Sequence, residues 1–104
     1  MGAVPIGKIV LRKSMSLTTQ ICRNSDLIAA DMDGDTVMMS LERGTYFGLG
    51  GVGSRIWNLL ENPTSVSAIV RAICAEYDVD EQTCTRDVQR FVAMMIENEL
   101  VISD

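Results

Sequence analysis

The stretch that decides the fold is TVMMSLERGTYFGLGGVGSRIWNLL, residues 36–60, because the spacing of its apolar residues changes from that of strands to that of helices. Its first part, 36–41, alternates like a strand with three apolar side chains on one face, Val37, Met39 and Leu41. A three-residue turn that ends in glycine, 42–44, separates it from an aromatic-rich strand, 45–49. The apolar residues that follow have helical spacing: Val52, Ile56, Leu59 and Leu60.

A further strand is predicted upstream. Residues 27–30 form a short apolar run, and the pair Asp33-Gly34 that follows is a strong signal for a tight hairpin. Two tight turns in succession link three strands into an antiparallel meander, whose middle strand is 36–41. The outer strand, Thr45–Leu49, is then paired on one side only and leaves backbone N–H and C=O groups free along its other edge.

Two more helices are predicted after Pro63, which ends the first one. Thr64 or Ser65 can cap the start of the second helix. The third begins after Asp80, a plausible N-cap, and ends near Asn98, a candidate left-handed cap. The apolar stripe of the second helix is Val66, Ile69, Val70, Ile73 and Tyr77. That of the third is Cys84, Val88, Phe91, Val92 and Met95.

Three strands followed by three helices predict an α+β domain, because helices must cover the apolar face of so small a sheet. The short connections between helices favour a helix-turn-helix arrangement. The expected architecture is winged helix-turn-helix-like, a three-stranded antiparallel sheet followed by three α-helices. Residues 100–102 are expected to pack against this domain or to add a short strand. Trp57, between Ile56 and Leu60 in the first helix, is predicted to be structural.

Composition restricts the function. The 104 residues allow one domain with one core. The net charge of −5 is uneven: residues 1–25 carry four basic and no acidic side chains, and the acidic remainder disfavours nucleic acid as the main ligand. Histidine is absent, so no catalytic set, metal site or cofactor is expected. The three cysteines form no CxxC pair, which favours a location in a reducing cytoplasm. The sequence shows no apolar run long enough for a membrane span and no signal-peptide pattern.

Several motifs have a structural and a functional interpretation. The sequence 48–53 matches G-x-G-x-x-G, but a second helix rather than a parallel strand follows, so it is read as a tight strand-to-helix turn. Asp31, Asp33 and Asp35 lack the glutamate of a calcium loop and are read as a polar hairpin. Four methionines suit either a peptide groove or ordinary core filling, Met38, Met39, Met94 and Met95.

The residues at 46–49 and 52–60, YFGL and VGSRIWNLL, resemble the PqqD family, the peptide chaperones or RiPP recognition elements of ribosomal peptide natural-product pathways. The similarity continues at Ile69, 77–79, 87–88, Phe91, Met95 and 100–101 and covers roughly residues 17–102. The segment 26–31, ahead of the hairpin, is most similar to the stand-alone versions in lasso-peptide biosynthesis. Two residues depart from the expected pattern: Gly50 stands where Asn is common, and Glu99 where Gly is common.

The resemblance implies a non-catalytic protein that binds the leader of a precursor peptide as an added antiparallel strand. It implies as partners a leader peptidase that resembles a cysteine protease and an ATP-dependent macrolactam synthetase. The expected domain is 17–104, with 1–16 as a tail or an extra strand. The expected peptide-binding residues are Thr45, Tyr46, Phe47, Gly48, Leu49, Arg86, Asp87, Arg90, Phe91 and Met94. The alternative is a winged-helix transcription regulator, with the third helix in the DNA major groove and Arg86 and Arg90 assisting.

Overall fold

The computed structural model describes residues 17–103, so the expected tail or extra strand at 1–16 lies outside the described residues. The elements follow one another as strands β1 Gln20–Arg23, β2 Leu27–Met32, β3 Asp35–Ser40 and β4 Thr45–Leu49, helix α1 Gly51–Leu59, strand β5 Thr64–Ser65, helices α2 Val66–Glu76 and α3 Glu81–Glu97, and strand β6 Val101–Ser103. The expected meander and the three helices are confirmed.

The described strands form two antiparallel sheets of three strands each, in the orders β2-β3-β4 and β5-β1-β6. The meander sheet is the predicted one. The second sheet adds a layer that the three-strand prediction did not include, although the short strand expected at 100–102 belongs to it. Its central strand, β1, pairs with the two-residue β5 on one side and with β6 on the other. The two sheets and three helices form an α+β domain.

The alternation of apolar residues in β3 predicts that the helices pack on the face with Val37 and Met39. The helices instead pack on the opposite face of the meander sheet. Met38 is fully buried, whereas Leu41 is 64% exposed. The pairing of β3 with β4 explains this, because Met38 lies opposite Phe47, whose side chain packs against the core. Thr36 is also buried, and its hydroxyl lies 2.7 Å from that of Ser54 in α1. The expectation that the helices cover Val37, Met39 and Leu41 is therefore wrong.

The helix starts follow the predicted caps. Ser65 is the N-cap of α2 and accepts a hydrogen bond from the Ala68 N–H at 3.3 Å. Asp80 is the N-cap of α3 and accepts one from the Thr83 N–H at 2.9 Å. The hydrogen bonds from Thr83 lower the pKa of the Asp80 carboxyl, because they stabilise its charged form.

The end of α3 corrects one expectation. Asn98 is the C-cap but has a φ of −93°, and the left-handed residue is Glu99, with a φ of +60°. The Asn98 side chain instead donates to the Met94 carbonyl, and the Leu100 N–H donates to the Met95 carbonyl at 2.8 Å. The turn therefore needs a positive φ one residue later than predicted, at the position where glycine was the expected residue.

Trp57 is 3% exposed, which confirms its structural role. The Arg23 guanidinium lies over its indole ring, 4.5 Å from the ring centroid, and donates to the Trp57 carbonyl. Partial burial lowers the pKa of Arg23, and the nearby Glu61 partly opposes that effect. This contact attaches β1, and with it the second sheet, to the first helix of the core.

Candidate peptide-binding edge

The free edge of β4 is the first component of the candidate site. Within residues 17–103, β4 pairs with β3 and has no strand on its other side. Its side chains alternate: Phe47 and Leu49 pack toward the helices, whereas Tyr46 is 70% exposed on the opposite face. An extended peptide can therefore pair with the backbone of β4 while only alternate side chains face the helices.

One flank of α3 supplies the second component. Phe91 and Met94 are half-buried and pack against the core, and Asp87 and Arg90 on the same side of the helix are exposed. A Cβ added to Gly53 would lie 3.1 Å from Phe91 Cζ and 3.8 Å from Leu49 Cβ. The end of β4, the start of α1 and the flank of α3 therefore meet at Gly53, where an added Cβ would require the Phe91 ring to move by a few tenths of an ångström.

A cavity of about 440 Å³ lies between the three helices where β4 ends. Phe91 and Asp87 belong both to the lining of this cavity and to the flank of α3, so the cavity and the flank are continuous. Its other lining residues are Val52, Gly53, Ile56, Ile73, Tyr77, Asp78, Val79, Cys84 and Val88. Arg55 on α1 donates two hydrogen bonds to the Glu76 carboxylate on α2, at 2.8 and 2.7 Å, and links two of the helices that form its wall.

The sequence analysis did not identify this cavity as part of the site. Its residues come from the apolar stripes of three helices and from the loop 78–79, and each stripe by itself is typical of core. One sequence feature could have indicated the cavity, namely an aromatic residue with a polar hydroxyl, Tyr77, at the end of the α2 stripe. In the structure Tyr77 is 40% exposed.

The ten expected site residues fall into two groups. The five β4 residues and Asp87, Arg90, Phe91 and Met94 lie along the edge and one flank of α3. Arg86 lines a separate polar depression on α3, together with Gln82 and Gln89. Of the methionines with two interpretations, Met38 and Met95 are fully buried core residues, whereas Met39 and Met94 are only half-buried.

The chemistry available in the described residues is limited. No group of three or more Cys, Asp or Glu among residues 17–103 could hold a metal ion. Burial raises the pKa of the Cys84 thiol to about 11, and hydrogen bonding to Cys74 acts in the same direction. A thiol with so high a pKa is a poor nucleophile near neutral pH, because little thiolate is present. No helix between residues 17 and 103 is long and apolar enough to cross a membrane.

The fold and the edge define a class of small α+β domains with an open strand beside the last helix. The sequence profile described as Coenzyme PQQ synthesis protein D (PqqD) matches residues 35–101. The chain belongs to the PqqD family, which confirms the resemblance, although the matched region begins after β2. No curated protein sequence matches this chain.

Two solved structures are similar to this chain. The first, "TbiB1 in Complex with the TbiA(beta) Leader Peptide", is 44% identical with a TM-score of 0.73, and the match covers 77% of this chain and 93% of TbiB1. The second, "Lasso peptide synthetase B1 complexed with the leader peptide", is 21% identical with a TM-score of 0.71, and the match covers 79% of this chain and 96% of that one. The second similarity, at this identity, supports the fold alone.

Proposed function

We propose that this protein binds the leader segment of a ribosomally made precursor peptide and delivers it to a leader peptidase and an ATP-dependent macrolactam synthetase in lasso-peptide biosynthesis. The binding domain is 17–104. The open β4 edge beside α3 carries this proposal, because it offers backbone pairing and side-chain pockets in one place. The 44% identity to TbiB1, whose structure is a complex with a leader peptide, supports it.

The leader lies antiparallel to β4, in the cleft between that strand and α3. Side chains that point inward contact Phe47 and Leu49 on one side and Phe91 and Met94 on the other. Side chains that point outward lie on the face of the sheet that carries Tyr46. Backbone hydrogen bonds supply affinity that is independent of sequence, and the inward side chains supply selectivity.

The cavity extends the site at the Leu49 end of β4. In an antiparallel arrangement, the leader residues that reach this end precede the paired segment. The largely apolar lining suits a large apolar or aromatic side chain from those residues. Asp78 and Asp87 line the same cavity, so an acidic side chain of the leader is disfavoured there.

The protein performs no chemistry in this proposal, and its partners carry out hydrolysis and ring closure. The family assignment supports this, as does the absence of histidine from the sequence. The alternative of a DNA-binding regulator has less support. Arg86 and Arg90 lie on the same helix as three acidic residues, Glu81, Asp87 and Glu97. The protein as a whole is also acidic, which opposes binding to the DNA phosphates.

Fluorescence anisotropy with a labelled leader peptide tests strand addition directly. A series of leaders, each N-methylated at one backbone amide, removes one hydrogen-bond donor at a time. If the leader pairs with β4, affinity falls with a period of two along the paired segment, because only every second amide faces that strand. A uniform or absent effect of N-methylation contradicts strand addition.

A pair of charge reversals tests the location of the site. Arg90 on α3 and Arg71 on α2 are both exposed, so Arg90→Glu and Arg71→Glu make the same change without a buried partner. Arg90→Glu is expected to weaken leader binding and Arg71→Glu to leave it unchanged, with both variants folded by circular dichroism. Equal losses, or a loss with Arg71→Glu alone, contradict the placement beside α3. Met94→Glu is the less clean test, because Met94 packs against the core.

A further inference from the structure

The outer face of the meander sheet, which the helices leave uncovered, is apolar. The pairing of the strands sets Ile28, Met39 and Tyr46 side by side in one row and Ala30, Val37 and Gly48 in the next. Of these, Ile28 is 52% exposed and Tyr46 is 70% exposed. Met32, which is 59% exposed, extends the patch toward the β2–β3 turn. A contiguous apolar patch on so small a domain is a candidate contact surface.

An acidic cluster borders this face at the β2–β3 turn. Asp31, Asp33 and Asp35 are all exposed there, and none of them has an ion-pair partner within residues 17–103. A segment that matches both features needs apolar residues next to basic ones. The run Lys8-Ile9-Val10-Leu11-Arg12-Lys13 has three consecutive apolar residues between basic ones and contains no acidic residue.

The size of the face argues against a second copy of the chain as its occupant. Three strands about 4.8 Å apart and about six residues long present roughly 300 Å². A stable interface between separate molecules buries about 800 Å² per partner. A second copy would also bring its own acidic cluster to the same contact. A segment of the same chain needs less area, because its effective concentration is high.

The length of the intervening chain is compatible with this contact. The described chain begins at Leu17, whose carbonyl accepts a hydrogen bond from the Ser67 N–H at the start of α2. The residues between Leu11 and Leu17 span up to about 20 Å when extended, and those between Ile9 and Leu17 up to about 27 Å. These lengths are comparable with the smallest dimension of the molecule, 21 Å.

We propose that Ile9, Val10 and Leu11 cover the outer face of the meander sheet, with Lys8, Arg12 and Lys13 directed to the acidic cluster at the β2–β3 turn. This contact leaves the β4 edge open. It can therefore be tested without a leader peptide.

Nuclear Overhauser measurements on the full chain at low salt test the contact. Methyl cross-peaks are expected from Ile9 and Leu11 to Ile28 and Met39. Neutralising the basic residues in the triple variant K8Q/R12Q/K13Q should weaken these cross-peaks, and so should neutralising the acids in D31N/D33N. Asparagine keeps the oxygen that the Gly34 N–H requires at position 31 and tolerates the positive φ of +59° at position 33.

Combining both sets of changes gives a further criterion. If the charges act on one another, the combined variant should lose no more than either set alone. Glu97→Gln, which removes one exposed acid at the C-terminal end of α3, is the matched control and should have no effect. Cross-peaks from Ile9 and Leu11 to residues 45–49 instead, or none to the outer face, overturn the proposal. Cross-peaks between differently labelled copies in a mixed sample also overturn it, in favour of self-association.

Discussion

The two faces of β3 differ in a way that the sequence pattern does not suggest. The buried face of β3 carries Thr36, Met38 and Ser40, two of them polar, whereas the other face carries Val37 and Met39, which are apolar and half-buried. The exposed Leu41 follows directly after the strand. Burial in this strand therefore follows the register with β4 and the contact with α1, and not apolar content. The difference teaches that alternation in a short strand identifies its two faces without identifying which of them is the core.

The strongest test of this comparison is truncation of one methionine on each face. Met38→Ala should destabilise the domain by about 2–5 kcal/mol, because it leaves a cavity at a fully buried site. Met39→Ala, the adjacent residue on the outer face, should cost clearly less. Urea denaturation of both variants measures the difference. Equal losses would show that the outer face is packed as tightly as the inner one.

The buried polar pair offers a second test. Thr36→Val keeps the shape of the side chain but leaves the Ser54 hydroxyl without its 2.7 Å partner, so it should cost about 1–3 kcal/mol. The double variant T36V/S54A removes both hydroxyl groups and should recover much of the loss. If Thr36→Val alone has no effect in thermal unfolding, the inner face does not depend on this pair.

Glu99 marks a limit of the comparison, because an exposed residue can still affect stability through its backbone. Its φ is +60°, a conformation that glycine adopts more easily, so Glu99→Gly should stabilise the domain by about 0.5–1 kcal/mol. The side chain contributes little in return, since its 3.8 Å ion pair with Arg43 is exposed. Glu97→Gly, within α3, is the control and should destabilise. A lower melting temperature for Glu99→Gly would contradict the assignment of strain.

The smallest effect is expected at the exposed end of the outer face. Leu41 is 64% exposed, so Leu41→Lys should change the free energy of unfolding by less than about 0.5 kcal/mol. A loss comparable to that of Met38→Ala would mean that Leu41 has a packing partner outside residues 17–103.

Local features of the sequence predicted much of the fold. The hairpin signal at Asp33-Gly34, the caps Ser65 and Asp80 and the helical stripes depend on neighbouring residues, and each is found where it was expected. The free edge of β4 also followed, because two tight turns fix the order of the strands.

Features that depend on distant contacts were not predictable in the same way. The two-residue strand β5 exists only because β1 lies beside it, and no local pattern marks so short an element. The cavity requires three helices to meet, so its lining residues could not be separated from core by periodicity. The site residues on β4 and α3 came from the family resemblance together with the edge argument, and the N-methylated leaders and the Arg90 variant remain their tests.

The pairing of β1 with β6 has a consequence for the order of events during protein synthesis. These strands come from opposite ends of the described chain, and Ile21 lies opposite Ser103. The meander β2-β3-β4 contains only local pairings and can form while the ribosome is still translating, but the second sheet cannot be completed until β6, Val101–Ser103, has left the exit tunnel. Until then β1 lacks its longer partner, and the contact of Arg23 with Trp57 is available to hold it near the growing core.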